Sequence, residues 1–209
     1  DWQSNARTEK TSTGKRTGEH QRRVDTWWLL KRPRGDLIKA VGSIKRYVAC
    51  SRVMKRPVFV FLSSRWRPDS SLTAFTFDDD YSFGVLQSNV HWQWFIVKCS
   101  KLTERFRYTP ESVFDTFPWP QKPKAKSVRS VAAAGRDVRR VRGTALSKTK
   151  GGLRAVYRRM ELPGESPLKD AHVVLDEAVM EAYGFSPGKD LLGQLLELNL
   201  DVAKRIERG

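Results

Sequence analysis

All seven tryptophans lie at or before Trp119, and the chain changes character at Trp119-Pro120. From Tyr47 to Trp94 it carries β-branched and aromatic runs with period-two stretches, broken by turn-forming residues. Residues 58–62, 73–77 and 94–98 are expected strands, with Ser63-Ser64, Pro68 to Ser71 and Asp78 to Asp80 supplying the turns. Ahead of them, Leu37, Ile38, Val41, Ile44 and Val48 stand near helical spacing and predict a short helix over 35–48. Beyond Trp119 the pattern is helical. Helices are expected over 128–146, broken by Gly151-Gly152, and over 153–162, stopped by Pro163-Gly164. Ser166 has the chemistry of an N-cap with Pro167 at the first helical position, opening a helix to about Tyr183. A last, leucine-rich helix is expected over 190–206 after Pro187-Gly188. The fold class is therefore α+β: an aromatic, β-rich domain followed by a mainly α-helical C-terminal domain.

Charge is distributed as unevenly as the tryptophans. Residues 121–159 hold thirteen Lys and Arg against one acid, Asp137, whereas residues 160–209 hold five basic and ten acidic side chains. The formal charge of the 209 residues is +16 and the pI about 10.2. A field of that sign favours a polyanion, nucleic acid first, with a solvated surface or ribosome-type tail as the bland reading. Residues 1–24 are polar and basic apart from Trp2 and read as an exposed arm or linker. Cys50 and Cys99 have no partners at metal-ligand spacing and read as reduced thiols of a cytoplasmic protein. No apolar run reaches the roughly 18 residues of a membrane span, and the N-terminus lacks a secretory signal. A chain that begins at Asp1 without Met is expected to be a fragment of a longer one.

Catalytic signatures are hard to find. No Pro-Pro occurs, so the Asn/Asp-Pro-Pro-aromatic tetrapeptide of an amino-methylating enzyme is missing, and no Gly-x-Gly turn follows an expected strand. Pro68-Asp69 is not followed by an acid-x-Lys element, so a nuclease metal site gains no support. Asp78-Asp79-Asp80 reads as a turn with capping carboxylates rather than a cation site, because consecutive side chains do not converge on one ion. His20, His91 and His172 are too scattered to bind a metal together.

What remains is a surface suited to reading DNA. Base edges are distinguished by Arg, Gln and Asn, and phosphates are held by Arg, Lys and small polar groups. Gln87, Asn89, His91 and Gln93 place such groups at every second position, and Arg105 and Arg107 are further base-reading candidates. For His91 a packed ring beside Trp92 and Trp94 is the equal alternative. Arg46, Arg52, Lys55, Arg56 and Arg65 suit phosphate anchoring. Arg129, Arg136, Arg139, Arg140 and Arg142 give the first C-terminal helix either a DNA-backbone contact or the role of a spacer. The Phe117-Pro-Trp-Pro120 element is expected to fix a domain edge by packing.

Several segments carry a family resemblance: Arg46-Tyr-Val-Ala-Cys-Ser-Arg-Val53, Phe77-Asp-Asp-Asp-Tyr-Ser-Phe-Gly-Val-Leu86, His91-Trp92, Arg107-Tyr108 and Val113-Phe-Asp-Thr-Phe-Pro-Trp-Pro-Gln121. Together they resemble the target recognition domain of MmeI-like, class I S-adenosylmethionine-dependent adenine-specific DNA methyltransferases. Leu162 to His172 and Ala182-Tyr-Gly184 resemble the helical part that follows it. The resemblance implies a DNA target recognition domain over 25–121 and a helical C-terminal domain over 122–209, preceded by the basic arm or linker over 1–24, which does not clearly match the family. It implies double-stranded DNA as partner and a methyltransferase domain in cis or in trans. Neither cofactor nor metal is expected in this chain, S-adenosylmethionine being bound by the parent enzyme, and no catalytic residue carries over. The alternative is a stand-alone nucleic-acid-binding or specificity protein with no associated methyltransferase domain.

Overall fold

The computed structural model describes residues 34–102 and 105–208, so the arm over 1–24 lies outside it. From Val41 onward the described residues form one compact unit. The expected helix over 35–48 is shorter: α1 spans Gly35–Gly42, and strand β1 already occupies Arg46–Ser51. Its apolar positions belong to two elements, because Tyr47, Val48 and Ala49 are all fully buried, which a one-faced helix does not allow.

β1 is the centre of a three-stranded sheet, flanked by β3, Val60–Ser63, and β4, Leu72–Phe75. Both neighbours run antiparallel to it, Arg46 facing Ser63 and Ser51 facing Leu72. The chain therefore leaves β3 at one end of β1 and enters β4 at the other, and residues 64–71 cross the sheet as a strap. Tyr47 reaches this strap, donating its hydroxyl to the Trp66 carbonyl at 3.2 Å, while Val48 and Cys50 join the main core from the opposite face. A second small sheet orders β2, Val53–Met54, then β6, Arg105–Arg107, then β5, Ser100–Leu102, all antiparallel.

Two helices follow β4. Asp79 caps α2, Asp80–Gln87, by accepting from the Ser82 amide at 2.7 Å, and Ser88 caps α3, Asn89–Lys98. The capping role expected of the aspartate triplet is thus met by Asp79. The strand expected over 94–98 is a correction: those residues are the last turns of α3. A short apolar run has no decisive period of its own, and here Val90, His91, Trp94 and Phe95 fall on one buried helical face. Trp94 is fully buried and satisfies its indole N–H on the Val113 carbonyl at 3.1 Å, in the short helix α4, Pro110–Val113.

The C-terminal helices come close to the sequence expectation: α5, Ala125–Ser147; α6, Gly152–Met160; α7, Pro167–Tyr183; and α8, Leu191–Glu207. Ser166 caps α7, Pro167 opens it, and Gly184 closes it with φ of 69°. The compositional change near Gln121 brings no break in packing. α5 lies on both α2 and α7, and one cluster joins Phe83 and Trp94 with Val131, Val138 and Leu175. The 117–120 element docks as expected, Phe117 being buried and the Pro118 carbonyl accepting from the Tyr183 hydroxyl at 2.9 Å.

Glycine permits the tightest of these contacts. A Cβ on Gly84 of α2 would stand 2.8 Å from Val131 Cγ1 and 3.0 Å from the Val131 carbonyl oxygen of α5. On α5, a Cβ at Gly135 would stand 3.0 Å from the Asp80 carbonyl oxygen. Gly84→Ala is expected to cost about 1–3 kcal/mol by overpacking, read as a lower urea midpoint with an unchanged m-value. An unchanged midpoint would show that the helices separate freely.

Candidate nucleic-acid interface

The second sheet turns one face to the core and one outward. On β6, Phe106 packs against Trp92 and Phe95, with ring centroids 6.1 and 5.8 Å apart, while Arg105 and Arg107 are exposed on the other side. Arg107 lies opposite Val53 and Ser100 in the neighbouring strands. The β2 side supplies Arg52 just before Val53 and the exposed Lys55 just after Met54. Arg52 is fixed by its own backbone, donating to the Ser71 carbonyl at 2.7 Å and accepting from the Tyr108 amide at 2.8 Å. It therefore stands where the strap meets the second sheet. Arg65 and Arg67 are exposed on that strap. Among the described residues, no carboxylate lies within ion-pair distance of Arg52, Lys55, Arg65, Arg67, Arg105 or Arg107. Arg65 and Arg67 thus lie on the strap, Arg52 where the strap meets the second sheet, and Lys55, Arg105 and Arg107 on that sheet, all six without a carboxylate partner among the described residues.

Two base-reading candidates lie inside the molecule. Gln87 is 4% exposed, and its side-chain oxygen accepts from the Phe59 amide at 2.9 Å. His91 is fully buried, with Nε2 3.0 Å from the Tyr108 hydroxyl and its ring stacked on Tyr108 at 5.8 Å. A base edge reaches neither, so both are withdrawn; for His91 the packed-ring alternative is the one seen. In a helix two residues are separated by about 200°, so His91 points inward while Asn89 and Gln93 lie elsewhere. Asn89 borders a cleft shared with Asp176, Glu177 and Glu181, whose carboxylates repel phosphate. Gln93 is half-buried and stays a reading candidate beside Arg105 and Arg107.

Two phosphate candidates are also occupied. Arg46 bonds Asp80 at 3.0 Å and the Asp78 carbonyl at 2.9 Å, and lies 3.8 Å over the Phe61 ring. Arg56 is wedged between the Trp92 and Tyr157 rings, 5.7 and 5.9 Å away, with Glu161 at 3.8 Å. Most of the basic helix is likewise used internally. Arg136 and Arg139 bond Asp80, and Arg140 bonds Asp137. Arg142 is 6% exposed and donates to the Phe59 carbonyl at 2.7 Å, pinning α5 to the sheet. The helix is thus a packed strut, and of the five arginines only Arg129 is exposed without a carboxylate partner among the described residues. Sequence reasoning missed Trp66 and Arg67; the signal was an Arg-Trp-Arg triplet set between turn residues.

Comparison with known proteins fits this geometry. The family model described as the MmeI target recognition domain matches residues 57–121, which hold the strap, α2, α3 and β6. The chain shares the fold of a solved structure of the type IIL restriction–modification enzyme MmeI in complex with DNA. That likeness has a TM-score of 0.72 at 20% sequence identity and covers 95% of this chain. The chain spans only 25% of the length of that enzyme. No curated protein matches the chain. Residues 57–121 and the helices after them therefore share one fold with MmeI, and in this chain the family-matched segment carries the exposed Arg65, Arg67, Arg105 and Arg107.

Among the described residues, no cluster of three or more His, Cys, Asp or Glu is placed to hold a metal ion, and no helix is long and apolar enough to cross a membrane. Among the described residues, no strand runs into a glycine-rich loop.

Proposed function

We propose that this chain is the sequence-reading module of a site-specific adenine DNA methyltransferase or restriction–modification enzyme of the cytoplasm. Arg52, Lys55, Arg65, Arg67, Arg105 and Arg107 grip duplex DNA, and methyl transfer belongs to an S-adenosylmethionine-binding domain of the parent protein. The observation that carries this reading is the match of residues 57–121 to the MmeI target recognition domain, on the segment that presents the open cations. The DNA-bound state of the structurally similar enzyme supports the same partner. The open cations supply phosphate contacts, which set affinity, while Gln93, Arg105 and Arg107 are of the residue types that discriminate base edges.

The test is binding of the chain to duplex DNA across a salt series. Affinity should fall steeply with salt, and Lys55→Ala should weaken binding to every sequence while flattening the log–log slope by about 0.9. Gln93→Ala should instead cost about 1–3 kcal/mol on the preferred site and little on other sequences. Absence of salt-dependent binding to any duplex rejects the proposal. Equal, sequence-independent losses from both variants reject the base-reading role of Gln93.

A further inference from the structure

The strap over β1 holds one residue that its packing does not explain. Trp66 is 67% exposed, although every other described tryptophan is buried or half-buried. A loose surface loop would let the indole fold down and recover its hydrophobic burial. This strap is not loose. Ser64 donates its amide to the Lys45 carbonyl at 3.1 Å, Trp66 donates to the Ser63 carbonyl at 2.9 Å, and Arg52 donates to the Ser71 carbonyl at 2.7 Å. Asp69 closes the far end, accepting from the Ser71 amide at 2.8 Å and from its hydroxyl at 2.6 Å. Under the middle, the fully buried Tyr47 holds the Trp66 carbonyl. Burial pushes the Tyr47 phenol above its ordinary pKa, with the nearby Arg67 charge opposing, so the hydroxyl keeps its proton at neutral pH. Pro68 further restricts the backbone of Arg67. The backbone is fixed from below and the ring is held out, with an exposed guanidinium on either side in sequence.

We propose that Trp66 is a wedge contact to duplex DNA, its indole inserted at a base step that opens to admit it while Arg65 and Arg67 engage the flanking phosphates. This rests on the DNA-recognition reading above. An aromatic face stacks on any base once a step is opened, at an unstacking cost of about a few kcal/mol, so the contact favours easily opened steps, and it releases no counterions. Flanking cations of this sign favour nucleic acid over an acid-poor protein surface as the occupant.

The experiment compares wild type, Trp66→Ala, Trp66→Phe and Arg65→Ala, each as the full chain, on a random-sequence duplex across a salt series. Thermal melting is recorded for every variant. Trp66→Ala should weaken binding roughly 5- to 100-fold at every salt concentration, with an unchanged salt slope and an unchanged Tm. Trp66→Phe should keep most of the affinity, and Arg65→Ala should flatten the slope by about 0.9. If Trp66→Ala binds like wild type, or its loss appears only through a changed salt slope, the stacking role is overturned. A lowered Tm with affinity lost in proportion assigns the indole to the fold and overturns it as well. If wild type itself fails to bind duplex DNA, the proposed function falls first, which distinguishes the two failures.

Discussion

Asp80→Ala is expected to destabilise the protein by about 2–3 kcal/mol, because one carboxylate holds three partly exposed guanidinium groups together. Asp80 bonds Arg46 at 3.0 Å, Arg136 at 3.2 Å and Arg139, and its side chain is only 15% exposed. Its removal leaves three cations facing a vacated, poorly hydrated site. Arg139 is the most vulnerable: burial lowers its pKa, Asp80 raises it, and Arg46, Arg142 and Arg136 all press against its charge. The cluster joins β1, α2 and α5, so the loss extends beyond a local pair. Arg136 is 55% and Arg46 36% exposed, so solvent shares their charge and the expectation stays below the loss for a fully buried pair. Urea unfolding should show the cost, and 1 M salt should reduce it by screening the remaining repulsion over about 3 Å. A loss below about 1 kcal/mol would mean that solvent, not Asp80, holds the three arginines.

The second large effect is on acid stability. His91 is pushed down to about 3, and His172 to about 4, in both cases chiefly by burial. For His172 the positive charges of Arg56 and Arg142 act in the same direction. An unfolded histidine titrates near 6.5. Both folded values are depressed, so the stability they contribute is fully present above about pH 6.5 and is lost as pH falls toward 4 and 3. Asp176 has the opposite sign. Burial raises its carboxyl to about 6, against the lowering effects of the Asn89 amide and Arg56, so its protonation favours the fold. Between about pH 4 and 6 the unfolded chain binds two protons through the histidines and the folded chain one through Asp176. The net loss is about 1.4 kcal/mol per pH unit. Stability by urea at pH 7.5 and pH 5 should differ accordingly. Asp176→Asn should steepen the acid loss, and His172→Gln should flatten it. A stability that is flat from pH 7 to pH 5 would contradict the buried, neutral state of both histidines.

These two clusters show why some of the candidate surface was legible and some was not. The resemblance to MmeI-like recognition domains rested on motifs now seen in β1, α2, α3, β6 and the 117–120 element, which frame the interface more than they line it. Arg105 and Arg107 were readable as a pair, because alternation in a strand puts them on one face. Arg46, Arg136 and Arg139 were not. A cation looks the same in sequence whether it meets solvent, a phosphate or Asp80, and the carboxylate that decides lies 34 to 59 positions away along the chain. Gln87 and His91 failed for a related reason: a polar residue of a short helix is sorted by which side the core lies on, and the core here comes from β3, Tyr108 and α5.

The sequence by itself determined the α+β class, the aromatic N-terminal part, the capped helices from Ser166 onward and the strong positive charge. Each of these follows from local physics: period, cap chemistry, backbone-restricting residues and a summed field. Only the tertiary structure decided that 94–98 is helical, which cations are spent inside the protein, and that Trp66 is held out on a pinned strap. Those outcomes depend on which groups distant in the chain are brought together and how much water they lose there, and no local pattern encodes that pairing.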